Sequence, residues 1–238
     1  MANRTVALVP AAGRGLRMGG NVPKQFLTLG GVPILVHSLR VLEAAESVSE
    51  IILAVPEADR EFCLREIVTP HGFKKVTKVV AGGEQRQDSV RHGLEAVDEK
   101  TEVVLVHDAV RPFLTVDMVR RVIEAAVKHG AAAVAIPMRD TVKQVGADGL
   151  IEKTVDRGQL WLAQTPQAFR RTLFHEAHRK AKLAGFHGTD DAQLVERLGH
   201  PVAVVEGSGE NIKITRPEDL GIGEAILAAR RKDVKRER

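Results

Sequence analysis

Thr5-Val6-Ala7-Leu8-Val9 is a short apolar run that breaks at Pro10 into Ala11-Ala12-Gly13-Arg14-Gly15-Leu16-Arg17-Met18-Gly19-Gly20-Asn21-Val22-Pro23-Lys24. The run reads as a buried strand and the rest as the loop that follows it. Glycines let backbone N–H groups approach an anion closely, and Arg17 and Lys24 add cationic donors that can follow charge along a polyphosphate. The loop is not a P-loop, because no Gly-Lys-Ser/Thr occurs. It also fails the dinucleotide fingerprint, because Met18 stands where the third glycine belongs. A lone Gly-x-Gly describes a surface turn equally well. What tilts the reading is the charge around it: residues 1–42 carry Arg4, Arg14, Arg17, Lys24 and Arg40, and the first carboxylate is Glu43.

Working outward, similar strand-like runs recur at Ile51–Val55, Val76–Val80, Val103–Val106, Ala132–Ile136 and Val202–Val205. Between them lie stretches of helical period at Ile34–Ala45, Ala58–Val68, Asp88–Val97, Val116–His129, Pro166–Ala184 and Asp190–Leu198, with Pro217–Arg231 after the last run. Such alternation predicts an α/β, Rossmann-like fold, a mostly parallel sheet with helices on both faces. Ligands in these sheets bind beyond the carboxyl ends of the strands, where the strand order reverses. One segment departs from the pattern: Thr141–Val145 and Leu150–Val155 flank Gly146-Ala147-Asp148-Gly149, a hairpin turn by composition. An isolated two-stranded arm is marginal in water and needs another surface, for which a second subunit is the natural candidate. The expected organisation is one domain over residues 1–229, with the arm at about 139–157, and a frayed basic tail at 230–238.

Composition narrows the function. Lys and Arg number 35 against 31 Asp and Glu, a net charge of +4. Residues 230–238 alone hold six bases and two acids, so the body is neutral. With 3% aromatic residues and no Tyr, neither a stacking platform nor a basic face for nucleic acid is in view. No apolar run approaches the roughly 20 residues of a membrane span, and the amino-terminal segment lacks a signal peptide's pattern, so a cytoplasmic protein is expected. Cys63 is the only cysteine, which excludes an internal disulfide and a cysteine-rich zinc site. It reads as a packed thiol on a helix. His175-x-x-His178 has ligand-pair spacing, but no third ligand is in register and Arg170, Arg171, Arg179 and Lys180 would repel a cation. A solvated helix face is expected there.

Other candidate residues follow the strands. Ala81-Gly82-Gly83-Glu84-Gln85-Arg86-Gln87-Asp88-Ser89 is a turn into a helix. Val106-His107-Asp108-Ala109-Val110-Arg111-Pro112 puts a carboxylate at a strand's carboxyl end, where an acid can hold Mg²⁺ against phosphates. Asn211-Ile212-Lys213-Ile214-Thr215 presents a base on a strand-like stretch.

Taken together, the first loop with Pro23-Lys24-Gln25, Gly82-Gly83-x-x-Arg86-x-x-Ser89, His107-Asp108-Ala109-x-Arg111-Pro112, Asp140-Thr141-x-Lys143, Thr154-Val155-Asp156-Arg157, Gln164-Thr165-Pro166-Gln167, Thr189-Asp190-Asp191 and Lys213-Ile214-Thr215 resemble the 2-C-methyl-D-erythritol 4-phosphate cytidylyltransferases of the non-mevalonate isoprenoid pathway. The likeness runs nearly end to end. It implies Mg²⁺-dependent transfer of CMP from CTP to the polyol phosphate by a homodimer that exchanges arms. Arg17, Lys24 and Lys213 would surround the reacting phosphates as catalytic residues. Ala11, Ala12, Gly13, Gly15, Gly82 and Ser89 would hold the nucleotide. Asp108 would lie near ribose, metal and acceptor. Thr141 and Arg157 would reach the acceptor phosphate in the partner subunit, with Arg111, Thr165 and Thr189 as polar neighbours. A ribitol-phosphate cytidylyltransferase is the alternative enzyme. A silent nucleotide-binding module would have lost Arg17, Lys24 or Lys213, and all three are present.

Overall fold

The six apolar runs from Thr5–Val9 to Val202–Val205 all take their places in one seven-stranded sheet of a computed structural model that describes residues 4–13 and 23–236, with side chains described up to residue 232. The strands are β1 (Thr5–Pro10), β4 (Glu50–Val55), β5 (Val76–Ala81), β6 (Val103–Val106), β7 (Ala131–Pro137), β10 (Trp161–Arg170) and β11 (Ala203–Glu206), in the order β11-β7-β10-β6-β1-β4-β5. Neighbours are parallel except β10, which is antiparallel to both β6 and β7. Successive side chains of a strand point to opposite faces. Ala7 and Val9 of β1 therefore enter one core, with α1 (Ile34–Ala44), α4 (Val116–His129) and buried Cys63. Val6 and Leu8 enter the other, with α3 (Arg86–Glu95), α5 (Arg171–Leu183) and α6 (Asp191–Glu196).

β10 corrects the expectation of a helix starting at Pro166. The helix α5 begins only at Arg171, and Gln167-Ala168-Phe169 pair with both β6 and β7. The buried polar residues that disguise this strand have partners from elsewhere in the chain: Gln167 Nε2 donates to Asp190 Oδ2 at 2.8 Å, and its Oε1 accepts from Ala192 N at 2.9 Å. The register between β10 and β7 shifts between Ala163 and Gln167, a bulge of the kind that re-aims side chains near sites.

Four smaller expectations also change. The helix expected at Ala58–Val68 is a 3-10 turn (Glu57–Asp59), an α turn α2 (Arg60–Phe62) and a π-helical stretch (Cys63–Val68). Asn211–Thr215 is not a strand but an extended loop, fixed where Ile214 N donates to Val110 O at 2.9 Å. His178 is buried, not on a solvated face, and packs edge-on against Phe174. The helix α7 (Pro217–Arg236) carries the basic segment onward where a frayed tail was expected. Arg230 helps hold it: Nε donates to Glu210 Oε2 at 2.9 Å, and the guanidinium lies over the Phe113 ring.

Two antiparallel pairs stand apart from the main sheet. One joins β2 (Thr28–Leu29) to β3 (Val32–Pro33) through Gly30 and Gly31, whose φ of +59° and +78° suit a two-residue hairpin turn. The other is the expected arm, β8 (Val142–Val145) paired with β9 (Ile151–Val155). On the arm Leu150 is 68% and Ile151 63% exposed.

Candidate active site

The strand order reverses between β1 and β6, and the cleft lies there. β4 and β5 extend the sheet to one side of β1 and β6 lies on the other, which opens a crevice at their carboxyl ends. Its walls include Ala11, Ala12 and Gly13 after β1, Lys24 and Gln25, Gly83 to Arg86 and Ser89 after β5, Asp108 after β6, and Lys213. Lys24 opens a 3-10 turn, Lys24–Phe26. Buried Gln25 anchors that turn by donating to Ala11 O at 2.6 Å. The loop after β1 and the lysine are thereby tied together. Arg17 and Gly15 lie outside the described residues.

The turn after β5 is closed by a side chain. Ser89 Oγ accepts from Gly83 N at 3.0 Å and donates to Gln85 O at 3.2 Å. Gly82 N donates to Val55 O at 2.7 Å, and a Cβ on Gly82 would overlap Ala12 Cβ and come within 2.9 Å of Ser89 Oγ. Gly82→Ala is therefore expected to push the loops after β1 and β5 apart. Overpacking of this kind costs roughly 1–3 kcal/mol, about a 5- to 150-fold loss of CTP affinity if carried by the site. Calorimetric titration with CTP checks it, and an unchanged affinity would remove Gly82 from the binding surface.

Asp108 is the electrostatic centre. Its Oδ1 accepts from Arg86 Nε at 2.7 Å and its Oδ2 lies 2.8 Å from Lys213 Nζ, while Arg111 Nε stands at 3.9 Å. Burial alone would raise the carboxyl's pKa, but Arg86 and Lys213 overcome that and hold it far below the usual carboxylate range. Arg86 belongs to the glycine-turn motif, yet its spacing in the sequence gives it no role of its own. Its Nη1 makes a second ion pair, at 2.7 Å, with Asp191 Oδ2. Burial opposes the charge on Arg86, but the two carboxylates keep it ionised.

Thr165 and Arg111 brace this centre. Asp108 N donates to Thr165 Oγ1 at 3.0 Å, and Thr165 Oγ1 lies 3.2 Å from His107 Nδ1. His107 Nε2 lies 3.1 Å from Arg111 O. The chain closes if Thr165 donates to Nδ1 and a neutral imidazole donates from Nε2 to Arg111 O. Arg111 Nη1 donates to Asn211 O at 2.7 Å, which fastens the Lys213 loop to the turn after β6. Thr141, Arg157 and Thr189 are exposed and stand outside the residues that line the cleft. Arg157 donates to Arg139 O within its own arm.

Buried His107 and His178 are both held neutral. Burial lowers each to about 4 from 6.5. The unfolded chain therefore takes up protons first as pH falls. Their contribution to stability is complete above pH 6.5 and is lost between 6.5 and about 4, at most roughly 3 kcal/mol from each. Asp191, whose carboxyl burial raises above its usual range, acts with the opposite sign. Urea midpoints that fall from pH 7 to pH 4.5 are expected; a flat or rising profile would contradict the burial of these rings.

Among the described residues, no group of three or more His, Cys, Asp and Glu side chains is placed to hold a metal ion. Both oxygens of Asp108 face cations, so a metal-ligand role for it would require Lys213 to move. No helix among the described residues is long and apolar enough to cross a membrane.

Comparison with known proteins agrees with this architecture. The family model described as 2-C-methyl-D-erythritol 4-phosphate cytidylyltransferase matches residues 5–229. A protein of that name from Syntrophus aciditrophicus (strain SB) is 52% identical over 227 residues, covering 95% of this chain and 97% of the relative. A 4-diphosphocytidyl-2C-methyl-D-erythritol synthase structure from Anaerococcus prevotii superposes with a TM-score of 0.84 at 33% identity, covering 96% of this chain and all of the other. The Thermus thermophilus 2-C-methyl-D-erythritol 4-phosphate cytidylyltransferase structure follows with 0.77 at 37%, covering 94% and 98%. With a cleft at the reversal point of the sheet and a family match over almost its whole length, this chain belongs to the 2-C-methyl-D-erythritol 4-phosphate cytidylyltransferase family.

Proposed function

We propose that this chain transfers the cytidylyl group of CTP to 2-C-methyl-D-erythritol 4-phosphate and releases pyrophosphate, a step of isoprenoid precursor biosynthesis. The observation that carries the reading is the meeting of Lys24 and Lys213, from opposite ends of the chain, with the glycine turn of Gly83 and Ser89 in one cleft. An ionised oxygen of the acceptor phosphate attacks the α-phosphorus of CTP. The bond from the α-phosphorus to the bridging oxygen breaks, and pyrophosphate leaves with the electron pair. A phosphate oxygen already ionised at neutral pH needs no general base, and buried, neutral His107 is fully engaged in bracing. Catalysis is then positioning and charge neutralisation. Arg17, Lys24 and Lys213 serve the reacting phosphates. The loop Ala11 to Gly13, Gly15, Gly82 and Ser89 hold the nucleotide.

Mg²⁺ is read as entering with the triphosphate, as the metal–CTP substrate, because the cleft's own carboxylate is already neutralised by Arg86 and Lys213. The acceptor phosphate is assigned to Thr141, Arg157 and Thr189, with Arg111 and Thr165 holding the floor beneath it. The arm belongs to a single domain and docks on a second copy of the chain. Its support is exposed apolar surface: Val145, Leu150 and Ile151 on the arm, and Trp161, Leu162 and Val204 on the adjoining strands. Substrates of this kind are soluble phosphates, which suits a cytoplasmic enzyme.

A panel assay tests the whole reading. CTP, ATP, GTP and UTP are each paired with methylerythritol phosphate and ribitol phosphate while pyrophosphate is followed. Release with CTP and methylerythritol phosphate is expected. Preference for ribitol phosphate would transfer the enzyme to the alternative acceptor, and no release with any pair would overturn the reading.

A further inference from the structure

Behind the cleft, charges alternate along a line from Lys213 through Asp108 and Arg86 to Asp191. The line joins four distant parts of the chain: the loop before α7, the turn after β6, the first residue of α3 and the first residue of α6. Asp191 is 1% exposed and lines no part of the cleft, so it touches no substrate. We propose that Asp191 is a positioning residue for cytidylyl transfer, acting through the Arg86 guanidinium to hold Asp108, and through Asp108 to aim Lys213. The inference rests on the proposed activity and deepens it.

A guanidinium is a rigid planar fork, so fixing one nitrogen fixes the direction of the others. Asp191 Oδ2 stands 2.7 Å from Nη1 of Arg86 as an ion pair on one side of the fork, while Nε on the other donates to Asp108 Oδ1 at 2.7 Å. Asp108 is thereby held with Oδ2 toward Lys213 Nζ at 2.8 Å. Without Asp191, Arg86 keeps a single carboxylate and can rotate about that contact, carrying Asp108 and the lysine's anchor with it. Stability alone is a poor reason for such a group, because a buried ion pair often contributes little net stability over an apolar pair of similar volume. Burial indeed raises the Asp191 carboxyl, and Arg86 offsets this only in part. The other nearby base, His178, stands with Nε2 at 3.8 Å from Asp191 Oδ1 and is neutral near pH 7, so Arg86 is the carboxylate's charged partner.

A double-mutant cycle distinguishes positioning from bulk structure. Asp191→Asn, Lys213→Ala and the double variant are compared with wild type for kcat, for both Michaelis constants and for melting temperature. Asp191→Asn is expected to lower kcat by about 10- to 100-fold with the Michaelis constant for CTP changed less than about threefold, the mark of an interaction realised in the transition state. In the Lys213→Ala background the same change should cost less than about twofold, because the group it aims is gone. Equal losses in the two backgrounds, or wild-type kcat in Asp191→Asn, would overturn the proposal. Should Asp191→Asn fail to fold, Asp191→Glu takes its place in the same cycle; it keeps the charge and shifts the carboxylate by one methylene. A loss of kcat seen in the wild-type background and absent from the Lys213→Ala background then supports the proposal, and equal losses or an unchanged kcat overturn it. Wild-type protein that releases no pyrophosphate would refute the activity itself, a result separate from an additive cycle in an active enzyme.

Discussion

Lys24→Ala and Lys213→Ala are each expected to lower kcat by about 10²–10³-fold, with a much smaller change in the Michaelis constant for CTP. Negative charge is redistributed over the α-phosphate and the departing pyrophosphate as the bond to the leaving group lengthens. A cation aimed at that region gains most in the transition state. In the proposed reading, ground-state binding is spread over the base, ribose, glycine loops and several cations, so it would tolerate the loss of one. Lys213 carries an additional argument. Its ammonium is held 2.8 Å from Asp108 Oδ2 and its side chain is only 36% exposed, so it reaches the cleft already ordered rather than as a solvated surface chain. Its removal leaves Asp108 with Arg86, which keeps the buried carboxylate paired and the fold intact. Steady-state kinetics with both substrates, beside melting curves that match wild type, checks the prediction. Turnover that is kept while only the Michaelis constant rises would assign both lysines to simple nucleotide binding.

The second large effect concerns the arm. Arg157→Ala is expected to be nearly inactive, yet to recover activity when unfolded and refolded together with Lys24→Ala. Two-fold symmetry makes the same patch serve both subunits. If Arg157 acts in the partner's cleft, a mixed dimer has one site with both defects and one with neither. With half the dimers mixed and half of their sites intact, about a quarter of wild-type activity should return. The physical case is that β8 and β9 form a two-stranded sheet of their own, bound to no other strand among the described residues, with apolar side chains turned to solvent. Two strands are marginal alone. No recovery in a mixture shown to contain mixed dimers would mean that each chain supplies its own Arg157, and the shared-site reading would fall.

What was legible beforehand follows from locality. The strands β1, β4, β6 and β7 are short apolar runs with clear breaks, and α4 announces itself by its period; the structure adds its caps, Thr115 Oγ1 accepting from Met118 N and Gly130 at the end. The arm was legible because its turn is written in four consecutive residues. β10 was not, because Gln164, Thr165 and Gln167 are polar and Pro166 interrupts them. These residues belong in the centre of a sheet only because Ser208 O, Asp108 N and Asp190 Oδ2 wait there to bond them. The end of α7 is a related case. Charge and position at a chain end suggest fraying, and the contacts of Arg230 with Glu210 and Phe113 join residues that no local pattern connects.

The cleft divides along the same line. Sequence alone determined the fold class, from the alternation of locally encoded strands and helices along the chain, and the anion-friendly loop, the turn at Gly82 to Ser89 and the residue types at the carboxyl ends of the strands, each encoded within about twenty consecutive positions. Tertiary structure alone decided what those residues do to one another. It put Lys24 and Lys213 on one cleft, gave Asp108 two cations and so argued against its use as a ready metal ligand, turned Thr165 and Arg111 into braces, and made Arg86 the link to buried Asp191. The physical reason is that ionic and hydrogen-bonding energies depend on distance and burial in three dimensions, which residue spacing along a chain does not specify.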